Sequence, residues 1–431
     1  MTKRWLIALG LLVSVLSWQA RAELVIEITG GSEAALPIAI VPFGGEGVAP
    51  EELSQVIRND LASSGRFAPL AKQDLISQPH EQAEVNFADW RLLRSEGLLV
   101  GKVSSVDGQT YDVQFQLFDV YKAQQLVGKR YQVPASGMRR LAHQIADQVY
   151  QALTGEIGVF ATRLAFVTVI NNADGSKRFA LQVSDADGAN PRTVLQSKEP
   201  IMSPNWSPDG ERISYVSFEN GKTEVFVQEM RTGRRDSVAA FKGINSAPSW
   251  SPDGKKLALT LSKGGNPEIY VLELASGNLS RVTHNSQSID TEAVWLPNSN
   301  ELLFTSDRGG RPQIYKVSVD GGTATRITFD GNYNSSPDVS PDGRYLAMVH
   351  GISGKYYIAV QDLASGAVQV LTETGRDESP SFAPNSRMIL YATERNGKGV
   401  LAAVSVDGRI QQRLGEAGID VREPAWSPIR N

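Results

Sequence analysis

The sequence predicts a small α/β domain followed by an all-β six-bladed propeller that its own C-terminal strand closes. Three observations carry this. A proline recurs six times with near-constant spacing: Pro208, Pro252, Pro297, Pro341, Pro384 and Pro428 lie 44, 45, 44, 43 and 44 residues apart. Helical periodicity is present up to about residue 158 and absent beyond it. The last repeat stops at "PAWSPI", an inner-strand signature with nothing after it. Six repeats of that length are the signature of a propeller, one blade per repeat.

The first segment reads as an address. Lys3 and Arg4 precede the apolar run "WLIALGLLVSVLSW", and "ARA" at 20–22 places small residues where a signal peptidase needs them. Residues 1–22 are therefore expected to be a secretory leader cleaved before Glu23. The run is too short to cross a bilayer, which takes roughly 20 apolar residues, so no transmembrane segment is expected in the mature chain. Loss of Lys3, Arg4 and Arg21 moves the formal net charge from −4 to −7. An acidic chain lacks the basic footprint of a nucleic-acid binder. With no cysteine, it has neither a disulfide nor the thiol that a lipid anchor would need. An exported, cysteine-free protein of this kind fits the periplasm.

Residues 23–158 are expected to form the α/β domain. "PIAIVPF" at 37–43 is a buried-strand run. Leu53, Val56, Ile57 and Leu61 recur at helical spacing and end at Gly65. The stretch from Gly97 to Val133 reads as a three-stranded meander, with Asp107-Gly108 at one turn. Ser136 is the expected N-cap of a helix that buries Leu141, Ile145, Val149 and Leu153 and ends at Gly155.

Residues 159–431 are expected to form the propeller. "NWSPDG" at 205–210 and "SWSPDG" at 249–254 fit a type I turn, with Pro presetting φ, Asp taking a local N–H and Gly last. The position before that turn holds Trp206, Trp250, Trp295, Val339, Phe382 and Trp426, an exchange that packing between blades tolerates. After each turn comes an apolar strand such as "RISYVSF" or "KLALTLS". It is not alternating, as expected of a sheet buried on both faces. A second strand, a hairpin at Gly188, Gly233, Gly277, Gly321, Gly366 or Gly408, and a more polar outer strand complete the unit. The first unit, from Arg163, has three strands but no inner one. The C-terminal strand is expected to supply it.

Catalytic chemistry finds little footing, and no catalytic residue, cofactor or metal site is expected. His80, His143, His284 and His350 are scattered, and there is no Cys for a zinc site or G-x-S-x-G for a hydrolase. "DADG" at 185–188 begins like a calcium loop but lacks its glutamate and falls where other blades place a hairpin. More informative are the segments leading into each inner strand: "IMSP" (201–204), "NSAP" (245–248), "DTEA" (290–293), "NSSP" (334–337), "DESP" (377–380) and "VREP" (421–424). All six are expected to be loops converging on one mouth of the central channel, a docking rim for a protein or peptide. A second reading stays open, a periplasmic propeller hydrolase or ligand-binding protein acting on envelope glycans.

The order of domains, the ending "AWSP" and the segments "IMSP", "NSAP" and "DTEA" together resemble the TolB family of the Tol–Pal envelope system, over the whole chain. The resemblance implies a scaffold with no enzymatic activity. Its members bind the lipoprotein Pal across the propeller mouth and the C-terminal domain of TolA through their N-terminal segment, in support of outer-membrane integrity and constriction at cell division, and some colicins exploit the same rim. Carried over by position, Ala247 and Thr291 fall at Pal-binding rim sites, with Ser203, Asn245 and Glu292 as neighbours or equivalents. Glu23, Leu24, Val25, Ile26, Glu27 and Ile28 match the TolA-binding segment, and their alternation suits strand addition. Ala293 departs from the proline of the other five segments, which implies a looser loop there.

Overall fold

The computed structural model describes residues 27–29, 35–172, 174–414 and 419–430, with side chains from residue 35 onward. The expected leader and Glu23–Ile26 lie outside the described residues. In the α/β domain a mixed five-stranded sheet runs in the order Phe67–Pro69, Leu36–Ile40, Gly97–Ser105, Thr110–Asp119, Gln124–Pro134. Leu36–Ile40 pairs in parallel with both neighbours, and the other pairs are antiparallel. The period-2 pattern of "PIAIV" explains why both faces are covered. Ile38 and Ile40 face helices α1 (Leu53–Ser63) and α3 (Met138–Thr154), meeting Leu53, Ile57, Leu61, Leu141, Ile145 and Val149. Ala39 and Val41 face the other way, toward Trp90 on the short helix α2 (Phe87–Leu92).

Helix α3 ends at Gly155, whose N–H donates to Gln151 O at 2.9 Å. Its start differs from expectation. Ser136 lies inside a 3₁₀ turn, Ala135–Gly137, and Gly137 takes the N-cap position with no side-chain hydrogen bond. Three further residues of turning satisfy the helix entrance locally, so no hydroxyl cap is needed.

The propeller has six blades. Their inner strands, taken here as blades 1 to 6, are Asp420–Trp426, Ile201–Trp206, Asn245–Trp250, Asp290–Trp295, Tyr333–Val339 and Glu378–Phe382. Blade 1 is a composite: Asp420–Trp426 pairs antiparallel with Arg163–Asn171, with Trp426 opposite Leu164. Blade 6 carries a fifth, outermost strand, Glu27–Thr29, in register with Gln411–Arg413.

The repeated turn is fixed by its own side chains. Gly210 N donates to Ser207 O at 2.8 Å, and Asp209 Oδ1 accepts from Ser207 Oγ at 2.5 Å and from Glu211 N at 2.9 Å. Gly210 closes the turn at φ 65°, a value costly for a residue with a Cβ. Ser251 with Asp253, and Ser340 with Asp342, repeat the bond. The tryptophans tie blade to blade. Indole N–H groups donate from Trp206 to Ala425 O, from Trp250 to Asn205 O and from Trp295 to Ser249 O, at 3.0–3.2 Å. Trp426 donates to Thr162 Oγ1 at 2.8 Å, where the chain enters the propeller.

Ring closure therefore rests on one C-terminal strand. Deleting residues 422–431 is expected to lower the melting temperature of the whole propeller. Trp426→Ala alone is expected to cost about 2–3 kcal/mol of lost burial. Differential scanning calorimetry reads both, and a truncated protein melting with wild type would exclude the clasp.

Candidate functional site

The six segments expected to be rim loops are the first halves of the inner strands. Each pairs with its neighbour for one to three residues, slips by one, and pairs again. The slips fall between Met202 and Asn205, Ser246 and Ser249, Thr291 and Val294, Ser335 and Asp338, Glu378 and Ser381, and Arg422 and Ala425. This is one β-bulge per blade. Its first residue is left-handed every time: Ser203 (φ 51°), Ala247 (47°), Glu292 (56°), Ser336 (50°), Ser379 (54°) and Glu423 (49°). None is a glycine, so each costs on the order of 1–3 kcal/mol, a strain that clusters at functional sites.

The bulges ring one mouth of the channel. A cavity of about 160 Å³ is lined by three residues from each blade, the left-handed residue and the two that follow it. Ala293 is buried and Glu292 has the same φ as its five counterparts, so blade 4 follows the common path without its proline. The expected looseness is absent because the strand pairing on either side of the bulge sets the backbone.

The expected site residues fall into different roles. Ser203, Ala247 and Glu292 are bulge residues on the mouth. Thr291 is half-buried beside it, with Oγ1 3.3 Å from Thr260 Oγ1. Asn245 is fully buried. Its amide accepts from Phe241 N at 2.9 Å and donates to Thr223 O, Phe241 O and Gly243 O, fastening the crossover rather than offering itself to a partner. Glu27 and Ile28 lie in the added strand of blade 6, where Ile28 pairs with Gln412. Gln412 Nε2 donates in turn to Ser63 O of α1, so this strand sits where the two domains meet.

Carboxylates stitch neighbouring blades at the mouth. Glu423 accepts from Ser203 N. Three blades away, Glu292 accepts from Thr305 Oγ1 at 2.8 Å and from Ser336 N and Oγ at 2.9 and 3.1 Å. So engaged, Glu292 ties the bulge of blade 5 to blade 4. Asp338 Oδ2 accepts from Phe382 N at 2.6 Å across the junction of blades 5 and 6. Burial pushes the Asp338 and Glu423 carboxyls up to about 7 in spite of these bonds. At or just before the inner strands of blades 2, 3 and 4, Met202 (40%), Ile244 (44%) and Ile289 (49%) are exposed apolar side chains. Strain and buried acids are thus concentrated at one mouth of the channel.

A larger cavity, about 580 Å³, lies between the α/β domain and the propeller. On its wall Asp60 and Asp187 flank His143. Arg139 occupies the Asp187 carboxylate, where a metal ion would otherwise bind, so the cluster reads as an ion-pair node. Sequence reasoning missed this node, and it missed the left-handed residues. The only trace of the node was the pair of acids in "DADG".

The raised Asp338 carboxyl has a definite consequence. Because its folded pKa lies above the ordinary value of about 3.9, the native state keeps a proton that the unfolded chain releases. Stability therefore falls as pH rises from about 4 to about 7. Asp338→Asn keeps an acceptor for Phe382 N and removes the ionisation. It is expected to match wild type near pH 4 and to exceed it by about 1–3 kcal/mol at pH 8, allowing for channel water. Urea unfolding at both values measures this, and an advantage independent of pH would assign the gain to something else.

Known proteins share this architecture. A family profile described as the TolB beta propeller domain matches residues 150–430, and one described as the TolB amino-terminal domain matches residues 24–126. The Tol-Pal system protein TolB of Nitrosococcus oceani is 62% identical across 99% of both chains. That of Xanthomonas oryzae pv. oryzae is 48% identical across 99% of this chain and 98% of its own. The crystal structure of TolB from Acinetobacter baumannii superposes with a TM-score of 0.87 at 41% identity, covering 94% of this chain and all of that one. On this agreement in sequence, fold and extent, the chain belongs to the TolB family of Tol–Pal system proteins.

Proposed function

We propose that this protein is a periplasmic interaction scaffold of the Tol–Pal system. It binds a Pal-like lipoprotein at the bulged mouth of the propeller and the C-terminal domain of TolA through the segment beginning at Glu23, in support of outer-membrane integrity and constriction. Colicins that exploit family members would meet the same mouth. The observation that carries this reading is the ring of six left-handed, non-glycine residues around one channel mouth. A fold holds six such strains in register where a surface must keep one shape for a partner. Ala247 and Thr291 are the primary contacts, with Ser203 and Glu292 beside them, and Asn245 acts indirectly by holding its crossover. The periplasmic location follows from the leader and the family's system.

Two substitutions test the mouth. Ala247→Glu is compatible with the backbone, because Glu292 and Glu423 already adopt the same left-handed geometry. Thr291→Arg places a long cation beside the channel opening. Each is expected to reduce Pal affinity at least about 100-fold, as central interface positions do, with circular dichroism and melting unchanged. Wild-type affinity in both, by calorimetric titration, would move the docking surface elsewhere.

The N-terminal segment has two competing partners. Docked, it extends blade 6 as a fifth strand; undocked, it can add to a sheet of TolA. If Pal favours the docked form, Pal must weaken TolA binding and TolA must weaken Pal binding by the same factor, typically about 5–150-fold. Deleting residues 23–31 is expected to abolish TolA binding, leave Pal binding and remove the coupling. Equal TolA affinity for free and Pal-bound protein would leave two independent sites.

A further inference from the structure

Polar contacts cross the joint between the domains beside an apolar cavity wall that includes Val159, Phe160, Met388 and Ile410. Arg387 pairs with Glu156 at 2.8 Å, Asn385 Nδ2 donates to Ile157 O at 3.0 Å, and Gln412 Nε2 donates to Ser63 O. The connecting segment, residues 155–162, is held against α3 by Asp147, which accepts from Phe160 N at 2.7 Å and Ala161 N at 3.1 Å. Gly158 permits that approach, since a Cβ there would lie 2.5 Å from Asp147 Cα.

At the centre of the joint is His143, 2% exposed. Its Nδ1 lies 2.7 Å from Asp60 Oδ2 on α1. Its Nε2 has no hydrogen-bond partner among the described residues and points across the joint, 3.9 Å from Asp187 Oδ2 in the first hairpin of the propeller. The groups facing it can be counted by element. Asp60 comes from α1 and Glu51 from the turn before it. Arg139 and Asp147 come from α3, and Asp185 and Asp187 from the hairpin. Arg139 binds Asp187 and Glu51 and lies 3.7 Å from Asp185. Arg163, with Arg140 and Arg192, stands further back toward Asp185. Five carboxyl groups thus meet one guanidinium at the joint. Within this node the imidazole is a second group that can carry positive charge between the two domains.

We propose that His143 is a proton-held latch: as imidazolium it bridges Asp60 of the α/β domain to Asp187 of the propeller, and on losing its proton it lets the α/β domain swing away about residues 155–162. The charge balance supports the sign. Burial alone would depress the imidazole, but the charges of Asp60, Asp187 and Asp185 and the bond to Asp60 outweigh it and push its pKa up to about 9. A folded value above the ordinary one of about 6.5 means that the imidazolium is kept through neutral pH and lost as pH rises through about 9, while burial raises the Asp60 carboxyl, so the pair also weakens in acid. Burial raises the Asp147 carboxyl to about 7, so its titration is nearly complete by pH 8 and is separate from the loss near 9. The domains are therefore locked through the neutral range, and anything that competes for Asp187 or removes the proton unlocks them.

The absence of cysteine makes the test direct, because two introduced thiols can be labelled specifically. Leu92→Cys and Ile170→Cys are exposed positions, one in each domain. Energy transfer between dyes on this pair is expected to hold steady to about pH 8 and then fall, with the open fraction rising at least about tenfold by pH 10. His143→Gln is expected to show the open value already at pH 7 with no further pH response. Glu156→Gln, which breaks an ion pair of the same joint, keeps the wild-type profile. Should His143→Gln fail to fold, imidazole ¹⁵N shifts in the wild type read the same group, with one of the four histidines still cationic at pH 8. A flat transfer profile from pH 6 to 10, an unchanged profile in His143→Gln, or a neutral His143 at pH 7 would each overturn the latch.

Discussion

A closed ring of sheets has no free end only if the first and last blades share strands. In this chain the constraint falls on Asp420–Trp426, the inner strand of a blade whose other three strands begin more than two hundred residues earlier. Its seven residues do three jobs at once. They pair with Arg163–Asn171, accept the Trp206 indole at Ala425 O, and send the Trp426 indole to Thr162 at the entrance of the propeller. The same strand carries Glu423, whose carboxyl holds the bulge of the next blade. Closure and mouth geometry are therefore one structural event, because a loosened strand would withdraw both an inter-blade indole acceptor and a bulge acceptor.

The mouth shows how a repeat fold makes an asymmetric surface from a symmetric one. Bulge position and left-handed φ repeat six times, so the backbone is close to sixfold. The side chains break that symmetry. Blades 1 and 4, facing one another across the channel, carry Glu423 and Glu292, and each reaches to a serine on the following blade, Ser203 or Ser336. Blade 3 places Ala247 at the same position. The exposed apolar side chains are likewise uneven: Met202, Ile244 and Ile289 lie at or just before the inner strands of blades 2, 3 and 4. A partner meeting this face finds one orientation unlike the others.

Much of the architecture was legible because the signals are local. A four-residue turn that satisfies its own donors within six residues leaves the same signature wherever it occurs, so the blade count followed from proline spacing. The missing inner strand of blade 1 was equally visible as a unit without its turn. Helix α3 announced itself by Leu141, Ile145 and Val149, but its start did not, because a 3₁₀ turn replaced the hydroxyl cap that Ser136 seemed to offer. The bulges left no trace. Left-handed positions are recognised by glycine or asparagine, and here Ser, Ala and Glu hold them, forced there by the pairing on either side. Asn245 was read as a surface amide, although its four bonds form only once the crossover folds back over it. The ion-pair node was hidden for a different reason: Glu51, Asp60, Arg139, His143 and Asp187 come from separate elements, and nothing in their spacing draws them together.

The bulge also shapes how such a mouth can change over generations. The third residue of each four-residue segment that enters an inner strand is confined to left-handed geometry, which β-branched side chains resist, and the fourth is buried. The second residue escapes both restrictions in five blades, where it is Met202, Ser246, Thr291, Glu378 and Arg422, spanning apolar, neutral, acidic and basic chemistry, while Ser335 of blade 5 is buried. Drift at these five sites can change the chemistry of the face without unsettling the ring beneath it. Single-codon changes there alter what the mouth presents on a scaffold that otherwise stays fixed.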